Sequence, residues 1–171
     1  MKRKRFFAPL LGILIVGAML PAGCVSTGLR NSESALKRLA RRKPASELAP
    51  EEVVRIQVEA LKYNDQKNRG IEIVYRFASP GNRNSTGPLS RFISMIYSEA
   101  YRPMLNHTNA EYGRIEVADE QAGQRVSITT EDGTRIVYVF VLSKQQGEEC
   151  NGCWMTDAVF IESIQQLKQT A

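Results

Sequence analysis

Histidine is almost missing from this chain: its 171 residues include one, His107, so any histidine-dependent acid–base mechanism must run through that residue. Tryptophan is also single, at Trp154. Of three cysteines only Cys150 and Cys153 lie close together, and without a second pair a zinc site built from two Cys pairs is excluded. No internal repeat or low-complexity tract is present. Gly81, Gly87 and Gly133 are separate turn glycines rather than a loop that cradles phosphate. Ser79, directly before Pro80, lacks the setting of a nucleophile elbow and reads as a turn.

Acid is missing where base is concentrated. The formal charge of the whole chain is +5, but residues 1–23 hold four bases and no acid. Residues 24–43 add six bases (Arg30, Lys37, Arg38, Arg41, Arg42, Lys43) against Glu33 alone. From Pro44 onward 13 bases face 17 acids, so the body is acidic and a nucleic-acid partner is not expected. The basic stretch is expected either to lie over anionic lipid or to form a solvated tether with an incipient helix at Ser34–Arg42.

The first 24 residues have the layout of an export signal. Lys2–Arg5 are followed by an uncharged apolar stretch from Phe6 to Leu20 and then by Pro21-Ala22-Gly23-Cys24. Ala22-Gly23 before Cys24 resembles a lipoprotein box, which implies lipidation of Cys24 and a lipid-anchored protein of the cell envelope. Pro21 stands where that box has an aliphatic residue. Two other outcomes stay open: cleavage to a secreted protein, or an uncleaved anchor across the 20 uncharged residues Phe6–Val25. All three place the body outside the cytoplasm. The expected organisation is a signal peptide (1–23), a basic tether (24–48), one domain (49–164) and a flexible tail (165–171).

Within the body, periodicity predicts three helices and then strands. Pro50-Glu51-Glu52 opens a helix continued by Val53, Ile56, Ala60 and Leu61. A short helix over Ile71–Ala78 is closed by Ser79-Pro80-Gly81, and a third spans Leu89–Tyr97. Beyond Asn109 the period becomes two, around Ile115 and Val117 and again around Val126 and Ile128. Glu131-Asp132-Gly133 marks a hairpin, Ile136–Leu142 is a fully apolar central strand, and Trp154–Ile161 is the last strand. The fold class is α+β, with three N-terminal helices on a four-stranded antiparallel sheet.

Several phrases carry a family resemblance. Ala49-Pro50-Glu51-Glu52-Val53-Val54, Phe77-Ala78-Ser79-Pro80, Gly87-Pro88-Leu89-Ser90-Arg91-Phe92, Ala110-Glu111-Tyr112-Gly113 and Cys153-Trp154-Met155-Thr156-Asp157 occur in order. Together they make residues 49–161 resemble the DUF4864 group of uncharacterised domains. That resemblance implies an NTF2-like cone, in which a curved sheet wraps helices and leaves a pocket at its wide end. It implies no catalytic set and no cofactor.

Four constellations remain. In Cys150-Asn151-Gly152-Cys153 the Asn-Gly centre suits a tight turn that sets the cysteines opposite one another, and a disulfide is the favoured reading in an oxidising compartment. Thiol exchange, metal binding and two free thiols stay open. His107 lies in a polar link, where a structural role outweighs catalysis. Asp157 sits in an otherwise apolar strand. If its face turns inward its carboxylate must find a partner, such as Arg76, Tyr75 or Tyr101, and loss of a buried pair predicts that Asp157→Ala destabilises the domain. Trp154 joins these as a pocket candidate. Tyr97, Tyr101, Met95 and Met104 either form an edge for a partner or pack into the core.

The function expected is a membrane-anchored, non-catalytic module that binds a small apolar ligand or another envelope protein. One alternative is a hydrolase- or isomerase-like enzyme using Asp157 with a tyrosine or His107. The other is a structural homodimer paired through the outer sheet face.

Overall fold

A computed structural model describes residues 25–147 and 150–165. The export segment with Cys24, and the tail beyond Gln165, lie outside the described residues.

The segment expected to be a tether begins as a helix, α1 (Val25–Ala40), that docks on the body. Ala35, Leu36 and Leu39 fall on one stripe of α1 and are buried, with Leu36 and Leu39 in the main core. Burying a leucine fully contributes about 1.5–3 kcal/mol, so two suffice to hold a short helix down. The basic residues follow it. Arg38 meets Glu59 at 3.4 Å and Arg42 meets Glu52 at 3.7 Å, both exposed pairs. The positive stretch thus leans in part on the acidic body.

Helix α2 (Pro50–Lys62) starts with proline in its first turn, and the Glu52 carboxylate accepts the Ala49 N–H at 3.2 Å. Its stripe of Val53, Val54, Val58 and Leu61 is buried against the sheet. Helix α3 (Arg69–Phe77) crosses α2 at Gly70, where a Cβ would meet the Ala60 carbonyl oxygen at 2.1 Å. Only glycine permits that approach.

Among the described residues there are five α-helices, where three were expected in the body. Besides α1, Ser79-Pro80-Gly81 follows the end of α3 as expected and also starts a further helix, α4 (Pro80–Thr86). The Ser79 hydroxyl accepts the Asn82 N–H at 3.2 Å and Pro80 fills the first turn, so the pair that follows the end of α3 is also a helix start. Helix α5 (Leu89–Ile96) buries Phe92 and Ile96, and a 3-10 turn (Arg102–Met104) leads to the sheet. Among the described residues no helix is long and apolar enough to cross a membrane.

The sheet is an antiparallel meander in the order β1 (Asn109–Ala118), β2 (Gln121–Thr129), β3 (Arg135–Lys144) and β4 (Trp154–Gln165). β4 runs four residues past its expected end. The Glu131-Asp132-Gly133 turn is confirmed by the Thr130 N–H bonding to the Thr134 carbonyl at 2.9 Å, with Gly133 at φ 83°. One face carries Val126, Ile128, Tyr138, Phe140 and Leu142, all buried in the core that α2 and α3 cover. The architecture is therefore α+β with helices on the inner face of the sheet. β4 is irregular: its register against β3 skips Asp157, between Leu142 and Val141, and Glu162, between Tyr138 and Val137. Both skipped residues are acidic, and each makes a β-bulge.

Candidate functional site

Thr156, one residue before the first bulge, is the joint between sheet and helices. Its hydroxyl accepts a bond from Gln57 Nε2 at 2.7 Å, made wholly inside the core. Its carbonyl accepts the Ser79 N–H at 2.9 Å and Asn82 Nδ2 at 3.1 Å. One backbone position thereby fixes α2, the N-terminus of α4 and β4 against one another. Gln57 is 1% exposed and Thr156 2%, so these bonds settle polar atoms that burial would otherwise penalise.

Beyond this joint the helices and β4 diverge and leave a cavity of about 360 Å³. Its wall is mostly apolar: Leu61 from α2, Val74 from α3, Phe92, Met95 and Ile96 from α5, and Phe140 from β3. Asp157 lines it from the bulge. Tyr101 lines it as well, with its hydroxyl donating to the Val159 carbonyl at 2.9 Å.

Of the five pocket candidates, Asp157 and Tyr101 are brought together here, and three are used elsewhere. Arg76 donates to the carbonyls of Ala40 and Arg42 at 2.9 Å each, where its charge suits the negative end of α1. Tyr75 donates to the Gly87 carbonyl at 3.2 Å and sets its ring edge-on to Phe92, 5.2 Å between centroids. Trp154 is buried in the core. The buried pair expected for Asp157 is absent among the described residues: the residue is half-buried, and its side chain has no hydrogen bond or ion pair. A bulge places Asp157 off the alternation that had put it with Met155 and Val159, and α1 has taken Arg76.

His107 does not line this cavity. It is 3% exposed, and its Nδ1 donates to the Met104 carbonyl at 2.8 Å. Burial pulls its pKa below the usual 6.5 against the pull of that bond, and the Lys62 charge adds to the lowering. Tyr112 is likewise structural: burial pushes its phenol up to about 12, and the Arg55 guanidinium lies 4.4 Å from its ring centre. Met104 packs in the core and Met95 in the cavity wall, while Tyr97 is 46% exposed and donates to Asn68 Oδ1 at 2.8 Å.

Cys150 and Cys153 form a disulfide, with Cα atoms 5.6 Å apart. Gly152 takes φ 79° in the turn between them, and its N–H bonds to the Gln145 carbonyl at 2.8 Å. Among the described residues no group of three or more His, Cys, Asp or Glu side chains could hold a metal ion.

Residues 44–168 match the family described as a domain of unknown function, DUF4864. The chain belongs to the DUF4864 family. No match was found among curated proteins or among solved structures. The DUF4864 match begins after α1, so the docked helix is an element outside it.

Wall residues that periodicity did not single out include Gln57, Asn82 and Thr156. Gln57 did carry a signal: it is an uncharged polar residue within the apolar pattern of α2, the mark of a helix that binds something across the core.

Proposed function

We propose that this DUF4864 protein is a membrane-moored, extracytoplasmic binding module whose NTF2-like cone takes a small apolar or amphipathic ligand without transforming it. The cavity beside the Asp157 bulge carries this reading: at about 360 Å³ it falls within the size range of small-molecule sites, roughly 300–1,000 Å³, and its wall is mainly apolar. Its two titratable neighbours, Asp157 and Tyr101, favour binding over acid–base chemistry, because the tyrosine hydroxyl is committed to a backbone carbonyl. The basic-apolar-cysteine layout of residues 2–24 supports mooring through a lipid on Cys24, and the Cys150–Cys153 disulfide suits an oxidising compartment.

Titration with the neutral dye N-phenylnaphthylamine tests the site. Saturable fluorescence enhancement is expected, and Met95→Trp, which fills the cavity from its half-exposed wall, should abolish it while the variant stays folded. Equal enhancement in both proteins would remove the cavity from consideration. Intact mass measurement on protein extracted from membranes tests the mooring; an unmodified Cys24 on an uncleaved chain would contradict lipidation.

A second reading rests on the opposite sheet face. Phe160 is 49% exposed there, beside the half-buried Val137, Val139 and Val141, which favours pairing with a second copy. Sedimentation equilibrium of the wild type and Phe160→Lys distinguishes a dimer broken by the substitution from a monomer.

A further inference from the structure

We infer that the ligand of this cavity carries one cationic head group, bound by the Asp157 carboxylate, on a compact apolar body. The inference rests on the cavity being a ligand site and adds the class of ligand. It follows from which polar atoms in the wall are already engaged. Gln57 donates to Thr156 and to the Val53 carbonyl, Asn82 to the Thr156 carbonyl, and Thr86 to the Asn82 carbonyl at 2.8 Å. Ser85 donates to the Gly81 carbonyl at 3.0 Å and Tyr101 to that of Val159. Each of these side chains is held by the protein itself. Asp157 is the exception among the described residues.

That exception is a formal negative charge beside an apolar wall. Arg76, a nearby guanidinium on α3, is held by two carbonyls at the end of α1 and lines a different surface hollow. A ligand carboxylate in the cavity would meet like charge, and a neutral hydroxyl would bring a hydrogen bond but no opposite charge. An ammonium brings the hydrogen bond together with a full positive charge, so it is the head group that the carboxylate favours most. The bulge takes Asp157 out of the ladder while its neighbours Thr156 and Ala158 stay paired, and at that point it lines the cavity. The cavity lies near the small end of ligand sites, which fits a single short chain or ring and not a two-chain lipid.

Displacement of N-phenylnaphthylamine by heptylammonium, heptanol and heptanoate tests this, because the three differ only in the head group. Heptylammonium should compete about tenfold better than heptanol, with heptanoate weakest. Asp157→Asn should bring the ammonium and alcohol to within about twofold, with the ammonium losing the most. Equal competition by all three on the wild type, or an ammonium preference that survives D157N, would overturn the head-group assignment and leave the cavity standing as a site. Failure of the dye and all three probes to bind would remove the cavity itself. The wild-type series decides the head group alone, so the outcome does not depend on the variant's folding.

Discussion

β4 carries two acidic bulges five residues apart in sequence, and they have opposite surroundings. Glu162 projects to the outer face of the sheet, where Arg125 of β2 binds it at 2.9 Å and pulls its pKa down while raising that of the arginine. Asp157 lines a cavity beside the helices and, among the described residues, has no cation partner. The same backbone device thus gives a saturated charge at one place and an open one at the other. A bulge frees a residue from strand alternation, and the tertiary surroundings then decide whether the freed charge is neutralised. An open carboxylate over an apolar wall is a recognition element; a paired one on a solvated face is a surface feature.

The largest effect should come from removing the frame that holds the Asp157 bulge in place. Gln57→Ala leaves the Thr156 hydroxyl without its donor and opens a void in the core, and is expected to cost about 2–4 kcal/mol in urea unfolding. A loss below half a unit would show that the α2–β4 bond does not set the bulge. The disulfide just ahead of β4 comes next. Cys150→Ser should cost about 2 kcal/mol under oxidising conditions by loop-closure entropy and nothing once dithiothreitol has reduced the wild type. Equal loss in both conditions would mean that the thiol packs rather than crosslinks.

His107 adds a titrating group that belongs to neither bulge. Folding holds it neutral with a lowered pKa, so the unfolded chain takes up the proton first. Its contribution should be complete above about pH 6.5 and decline as pH falls through the lower folded value. The urea midpoint of wild type should drop between pH 7.5 and pH 5 by more than that of His107→Gln; parallel curves would count against this.

The smallest effects test the comparison directly. Asp157→Asn should change stability by less than about 0.5 kcal/mol, because no partner is lost, whereas the buried pair expected from sequence would have made the loss large. Glu162→Gln should lower the melting temperature slightly in dilute buffer and not at all in high salt, since the pair it breaks is exposed. A large loss at Asp157 would dissolve the distinction between the two bulges.

Much of the fold is legible along the chain. Local signals suffice for α2, where proline and two acids precede an apolar stripe, and for β3 as a strand, although only one of its faces is fully covered and Val137, Val139 and Val141 on the other are half-buried. The Cys-Asn-Gly-Cys turn is equally local, and its disulfide follows from geometry within four residues. The misreadings share one cause. Leu36 and Leu39 lie in a stretch so basic that it reads as solvated, yet two leucines were enough to dock α1. Once docked, α1 presented free carbonyls that captured Arg76, and the expected partner of Asp157 was gone.

Sequence alone determined the order of three of the helices and of the four strands, the family and the position of the cysteine turn, because each depends on neighbours a few bonds away. Whether Asp157 is paired or open, and which side chains share a cavity with it, were decided only in three dimensions. Charges meet through space, and the skipped residue in β4 depends on how the whole strand lies against β3 and the helices above it.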